Sequence, residues 1–573
     1  MLVRRAYVYY MQRHVRWFRN NARQAARLQQ EVLLTKLRRE ADSDFGRDHK
    51  FSSIRDLRDF RRQVPIATYE YYRPYVERVK KGDTRALFGP TTKLLMFAMT
   101  SGTTSESKYI PITNHFFREY RRSWKVWGAR TYFDHPELQW RKALQFSSDW
   151  QHTRTEGGIP CGNISGLAAE SRPFITNYVF CLPNELNKVT HSQSKQYTAL
   201  RLALPLRNVG IIITANPLTL LSLARLGDRH QEQLIRDIFD GTLSDHVEVP
   251  SQVRQRLHGR FHKAKRSRAR ELERIVESHG HLWPRDYWPK MSVLAVWTGG
   301  TVGAYLSRVS DYCGNVTFRD HGLSATEGRM TTPLTDGTSA GILDVATHYF
   351  EFIPEEEHGA ADPTVLQAHE LQRDHNYYLV LTTSSGIYRH DIHDVVRCVG
   401  YEGQAPVLEF LNKGAHYSSM AGEKLSEFQV VTAIQQSLAD LKLDIEHFTL
   451  APAFGDPASY KLLIETALDE GTKRRLAESV DDYLSVANCE YEDRLKTGRL
   501  GPSSVVEIPR GSWQALRAQA LSRPGASFEQ FKHPFLTNKP NFLDEILGVA
   551  DPTRAILGHI RSAPVGSTAE EDS

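Results

Sequence analysis

From Lys93 onward, short apolar runs alternate with longer amphipathic ones, and no other feature limits the possible folds as strongly. "KLLMFAMT" reads as a strand and "HFFREYRRSWKVWGART" as a helix; "NVGIIITA" and "PLTLLSLARL" repeat the pair. Such alternation favours a mostly parallel α/β core. A second block, "NVTFRDHGLS", "AGILDVATHYFEFIPEE" and "YYLVLTTSSGIYRHDIHDVVRCVGY", is rich in strand formers. Helical periodicity instead governs roughly the first forty residues, whose Arg-rich face predicts a solvated helix lying on the first domain.

A chain of 573 residues exceeds what one hydrophobic core supports. The pattern lapses in "FLNKGAHYSSMAG", and helix and strand signals resume in "EKLSEFQVVTAIQQSLADL" and "SYKLLIETAL". A large domain over 1–411 and a smaller α+β domain over 412–573 are therefore expected, with a hinge at 412–422 and a frayed tail at 562–573. The apolar run from Val209 is interrupted by Asn216 and Pro217, so it reads as a strand followed by a helix, and no stable membrane insertion is expected. A net charge of +6 is too dilute to call for nucleic acid. Cys161, Cys181, Cys313, Cys398 and Cys489 show no metal-ligand spacing and imply a reducing, cytoplasmic setting.

The stretch "TSGTTSESKYIPIT" from Thr100 concentrates hydroxyls, a glycine and one cation. It suits a turn, and it equally suits a phosphate cradle in which backbone N–H groups and hydroxyls surround an anion beside Lys108. "GLSATEG" then carries Thr326 and Glu327, "GIYRHDIHDVV" carries Asp394, and the hinge-like stretch follows.

This order resembles the adenylate-forming superfamily of acyl-CoA ligases, peptide-synthetase adenylation domains and luciferases. Within it, "SDFGRDHKFSSI", "DFRRQVPIATYEYYRPYVERVKKGD", "YWPKMSVLAVWTGGTVGAY", "YEDRLKTGRLGPSSVVEIPRGSW" and "FEQFKHPFL" resemble the Gretchen Hagen (auxin-responsive) acyl acid amido synthetase family. The resemblance implies a large N-terminal α/β domain with sheets and a small β-barrel-like part, followed by a mobile α+β domain. It also implies ATP and Mg²⁺ as cofactors, a small carboxylic acid and an amino acid as substrates, and a monomer or weak dimer.

By the same resemblance Ser101, Gly102, Thr103 and Thr104 bind phosphate oxygens, Lys108 holds the departing pyrophosphate, and Thr326 reaches the α-phosphate. Glu327 holds Mg²⁺, Leu323 lies where an aromatic ring often stacks on adenine, and Asp394 accepts the ribose hydroxyls. An ion-paired, purely structural Asp394 is the alternative. The small domain supplies a catalytic lysine, Lys532 in preference to Lys424. Three departures stand out: Ser105-Glu106-Ser107 replaces the glycine after the threonine pair, Leu323 replaces the aromatic, and His393 replaces the glycine before Asp394. The implied activity is adenylation of a carboxylic acid followed by transfer to an amine. Coenzyme A as acceptor, or nucleotide binding without turnover, are the competing functions.

Overall fold

Strands and helices alternate as the pattern requires in a computed structural model that describes residues 2–100, 108–173, 178–299, 306–414, 417–418, 420–421, 423, 425–455, 457–522, 531–539 and 541–550. The described residues form two compact units, one running to Lys413 and the other beginning at Gly414.

In the first unit, the strands Lys142–Gln145, Val209–Ile213, Val293–Ala295 and Thr317–Arg319 form a four-stranded, all-parallel sheet in that spatial order. Its second strand leads into the helix Pro217–Arg229 through the two residues that interrupt the apolar run. Asn216 caps the helix by accepting the Leu218 N–H, and Pro217 sits at the first helical position, where no N–H is needed. A mixed four-stranded sheet holds Lys108–Thr113, Leu94–Thr100, Pro160–Gly162 and Thr153–Arg154.

The largest sheet departs from the mostly parallel expectation. Thr331–Thr332, Gly341–Leu343, Ala405–Lys413, His390–Glu402, Asn376–Thr382, Tyr349–Pro354 and Leu366–Gln367 form seven antiparallel strands in that spatial order. The cause is connection length. Only Gly403 and Gln404 separate His390–Glu402 from Ala405–Lys413, too few for a crossover, and Gly403 takes the left-handed φ of 65° that so tight a turn requires. Register shifts within these pairings add twist.

The helices Leu2–Ala22 and Ala25–Arg39 are not merely solvated. Val15, Phe18, Ala22 and Ala25 are buried with Phe350, Leu379 and Val396 of the antiparallel sheet in one apolar cluster. Gln29 then fastens the second helix to the sheet: its Nε2 donates to the carbonyls of Val345 and His348, each at 2.7 Å, and its Oε1 accepts the Phe350 N–H at 2.8 Å.

The second unit is built on the strands Phe448–Ala453, Ser459–Ile464 and Ser504–Glu507, the first pair antiparallel and the second parallel. The helices Glu427–Asp440 and Glu470–Ala487 belong to it. Ser426 and Gln429 close a capping box at the start of the first.

Candidate functional site

The loop expected to cradle phosphate joins the two strands of a hairpin whose neck pairs Thr100 with Lys108. Ser101, Gly102, Thr103 and Thr104 themselves lie outside the described residues. Lys108 opens the second strand, half-buried, with the Tyr69 ring 5.7 Å from its ammonium. It makes no ion pair among the described residues, and its charge acts on the Glu70 carboxylate.

Thr326 and Glu327 are the two-residue tip of a small hairpin formed by Ser324–Ala325 and Gly328–Arg329. Two positions of that hairpin, one at its base and one beside its tip, favour glycine. Gly322 has φ of 85° and a Cβ there would meet the Thr331 carbonyl oxygen at 2.3 Å; a Cβ on Gly328 would meet His348 Nε2 at 2.9 Å. Glu327 makes no hydrogen bond or ion pair among the described residues. Leu323 lies at the foot of the same hairpin, but its side chain is 4% exposed and is part of the apolar cluster with Met330, Leu334 and Ile342. It serves the core.

Asp394 and its neighbours begin the strand His390–Glu402, which is held in an unusual backbone path. Arg389 and His393 both lie in the left-handed region, at φ of 48° and 58°. The buried Arg389 guanidinium fixes the first bend through Nε to Glu351 Oε2 at 2.8 Å and Nη1 to the Val64 carbonyl at 2.9 Å. The Ala67 N–H donates to the Arg389 carbonyl and the Asp391 N–H donates to the Ala67 carbonyl, so residue 67 pairs with the bend as a strand would. The second bend falls on the histidine that stands in place of the expected glycine, which is why glycine would be at ease there.

Asp394 is 2% exposed and faces Lys413, its cross-strand partner, with Nζ to Oδ1 at 2.6 Å. Lys413 Nζ also contacts the Ile392 carbonyl at 3.3 Å. Burial disfavours the Lys413 ammonium, but the carboxylates of Asp394, Glu327 and Asp391 outweigh it and raise the pKa above the ordinary lysine range. His390 Nδ1 lies 3.1 Å from the Ala67 carbonyl, which assigns the proton to that nitrogen. Burial lowers the His390 pKa, and the charges that reach it are those of Glu327, Lys108 and Asp391. The imidazole is therefore neutral at pH 7.

Lys108, Glu327 and Asp394 come from three separate stretches; the charges of Lys108 and Glu327 reach the buried His390, and those of Glu327 and Asp394 reach Lys413. Neither His390 nor Lys413 is evident as a site residue in the sequence: Lys413 is visible only once the register of the two strands is known, and His390 only once its neighbours are. Lys532 belongs to the second unit, exposed, just before a segment in which the Phe535 carbonyl accepts the Leu450 N–H. Its positive charge acts on Glu427. Lys424 lies outside the described residues.

Among the described residues the arrangement offers one carboxylate without a hydrogen-bond or ion-pair partner, one carboxylate already paired to a cation, and two ammonium groups. That set suits a polyanion carrying sugar hydroxyls.

The same two-unit fold occurs in a solved acyl acid amido synthetase, GH3.15, which superposes with a TM-score of 0.83 at 20% identity, covering 94% of this chain and 95% of that one. Models of the GH3 family match in three consecutive pieces, the N-terminal domain over residues 14–318, the central domain over 341–413 and the C-terminal domain over 428–541. The chain belongs to the GH3 family. It is 23% identical over 551 residues to the probable indole-3-acetic acid-amido synthetase GH3.1 of Arabidopsis thaliana, covering 91% of each. It is 24% identical over 553 residues to the indole-3-acetic acid-amido synthetase GH3.8 of Oryza sativa subsp. indica, covering 90% of this chain and 89% of that one. No helix among the described residues is long and apolar enough to cross a membrane.

Proposed function

We propose that the protein is an ATP-dependent acyl acid amido synthetase. It joins the carboxyl of a small acid to the amine of an amino acid through an acyl adenylate. What supports this reading is that, in a GH3 chain, the charges of Lys108 and Glu327 reach the buried His390 while Glu327 and the ion-paired Asp394 act on Lys413.

Adenylation must bring a carboxylate to the α-phosphate of ATP, anion to polyanion. Lys108, unpaired among the described residues, opposes that repulsion and takes up charge as it passes to the departing pyrophosphate. Ser101, Gly102, Thr103 and Thr104 bind phosphate oxygens, and Thr326 reaches the α-phosphate from the hairpin tip. Asp394 accepts the ribose hydroxyls through the oxygen that Lys413 does not hold, while Lys413 orients the carboxylate.

Mg²⁺ fits the donor set, since Glu327 is a hard oxygen donor without a hydrogen-bond or ion-pair partner among the described residues. When bound it neutralises phosphate charge. The acid's carboxylate oxygen bonds to the α-phosphorus as the bond to the β-phosphate oxygen breaks, releasing pyrophosphate. The amine nitrogen then bonds to the acyl carbon, loses its proton, and AMP leaves. Lys532 is the lysine assigned to the first half-reaction. The enzyme acts as a monomer or weak dimer in the cytoplasm.

Purified protein incubated with ATP, Mg²⁺, mixed carboxylic acids and amino acids, and followed by mass spectrometry, should accumulate an acyl adenylate and then an amide. Thioester formation when coenzyme A replaces the amine would assign the acceptor differently. Tight ATP binding without pyrophosphate release from any acid would refute catalysis.

A further inference from the structure

The bend that carries Asp394 holds a second cluster on its other residues, outside the chemistry described so far. His358 follows the short turn after the strand Tyr349–Pro354, while Asp391 and His393 lie in the first turn of backbone of the next-but-one strand. His358 Nε2 is 2.7 Å from Asp391 Oδ2, and His393 Nδ1 is 3.0 Å from the same oxygen. One nitrogen from each ring and one carboxylate oxygen all lie within 4.8 Å of one another. We propose that His358, Asp391 and His393 bind a divalent first-row transition ion of the zinc type.

Three further observations favour a ligand over a self-contained ion pair. His393 Nδ1 is buried without a hydrogen-bond partner, because its contact with Asp391 lacks hydrogen-bonding geometry. His393 also occupies a left-handed backbone position that a β-carbon resists, which turns its ring onto the cluster at a cost that an ion pair two residues away does not explain. The other ligands are held in place from behind. Asp391 Oδ1 accepts the His393 N–H at 2.7 Å, leaving Oδ2 to both rings, and His358 stacks on Tyr378 with ring centroids 3.5 Å apart at 12°.

Two imidazole nitrogens and one carboxylate oxygen select a borderline ion over Mg²⁺, which demands oxygen ligands. Bonds of about 2.0–2.1 Å at tetrahedral angles would place neighbouring donor atoms about 3.3–3.5 Å apart, so Asp391 Oδ2, at 3.0 Å from His393 Nδ1 and 2.7 Å from His358 Nε2, must draw back by about 0.3–0.5 Å and about 0.6–0.8 Å respectively. His358 and His393 side chains remain 25% and 38% exposed, which gives the ion an entry path and leaves a coordination position for water.

The test uses the full-length chain, stripped with chelator and free of ATP. Calorimetric titration with Zn²⁺ should show one saturable equivalent at micromolar affinity, accompanied by a rise in Tm that millimolar Mg²⁺ does not reproduce. His393→Gly removes a ligand while supplying the residue that the backbone favours, and Asp391→Asn removes another. Each should weaken binding at least tenfold and abolish the Tm rise. Co²⁺ bound to the unmodified protein should give a visible spectrum without thiolate charge-transfer bands. Absence of a saturable equivalent, an affinity unchanged in both variants, or a thiolate signature from a cysteine site would each overturn the proposal.

Discussion

Two ion pairs inside the first unit look alike in composition and differ in what they leave over. Lys36, on the second helix, donates from Nζ to Glu119 Oε1 at 2.8 Å and to Ser384 Oγ at 2.6 Å, with side chains 3% and 16% exposed. Ser384 Oγ donates onward to Glu119 Oε1 at 2.8 Å and accepts from Arg39 Nη2 at 3.0 Å. Burial alone would raise the Glu119 carboxyl pKa, but Lys36 above all holds it below the usual carboxylate range. The Lys413–Asp394 pair buries its carboxylate as deeply, yet the Lys413 side chain is 37% exposed and one Asp394 oxygen has no protein partner among the described residues. The first pair is spent on joining two helices to the loop after a strand. The second keeps hydrogen-bonding capacity in reserve, which a ligand can use.

The sharpest way to break the comparison is to remove one cation. Lys36→Met should cost roughly 3–5 kcal/mol of stability by stranding a buried carboxylate, and Lys36→Met combined with Glu119→Leu should recover most of it. Denaturant titration of both variants would check this. A single variant as stable as the parent would mean that the pair holds nothing together.

Lys108→Ala should show the opposite balance. Its ammonium has no protein partner to strand among the described residues, so stability should hold while the adenylation rate falls on the order of 10²–10³-fold, the scale of one lost charge-stabilising group. Single-turnover pyrophosphate release set beside the denaturation midpoint separates the two effects. Parallel loss of both would make Lys108 structural.

Acid should attack the Lys36 region through His348. His348 Nδ1 lies 3.6 Å from Glu119 Oε2, and burial lowers the His348 pKa from its ordinary 6.5 to about 4. Because the folded-state value is the lower one, the unfolded chain binds the proton first. Stability is therefore fully present above pH 6.5 and falls as pH drops towards 4, by up to about 3 kcal/mol from this group. Subtracting the pH–stability curve of His348→Gln from that of the parent should reveal that slope, since burial also lowers His321 and His533 and they add slopes of their own. A difference curve that is flat between those limits would show that His348 does not carry it.

How much of this contrast the sequence discloses depends on the range of the contacts. Alternation marks the parallel sheet because strand and helix periods are local, and Asn216–Pro217 marks a helix start through a cap that spans two residues. The hydroxyl-rich stretch, Thr326–Glu327 and Asp394 can be singled out in the sequence because each falls within a short motif that resembles those of the adenylate-forming superfamily. Pairings across distance are silent. Lys36 and Glu119 are 83 residues apart, and nothing local to either announces the other. Lys413 is hidden in a stretch that reads as linker, and only the hairpin register, shifted twice between Val395 and Gly400, brings it opposite Asp394. Leu323 shows the converse failure: its place beside a motif suggests adenine, whereas its side chain fills the core, because a short strand next to a site must still bury one face.

Asp394 supplies the smallest and most discriminating measurement. Its replacement by Ala removes the proposed ribose acceptor and also frees Lys413, but that ammonium is part-exposed, can rehydrate, and keeps Glu327 and Asp391 as neighbouring charges. The stability loss should therefore stay below that of Lys36→Met, while ATP affinity falls by roughly 1–3 kcal/mol, or about 5- to 150-fold, the scale of a charge-assisted hydrogen bond. Calorimetry with ATP and with 2′-deoxy-ATP makes the test specific. If the carboxylate reads the ribose, the deoxy analogue should bind the parent more weakly and the Asp394→Ala variant no more weakly than ATP does. Equal preference for the two nucleotides in the parent, together with a stability loss matching that of Lys36→Met, would return Asp394 to the structural class and erase the distinction between the two pairs.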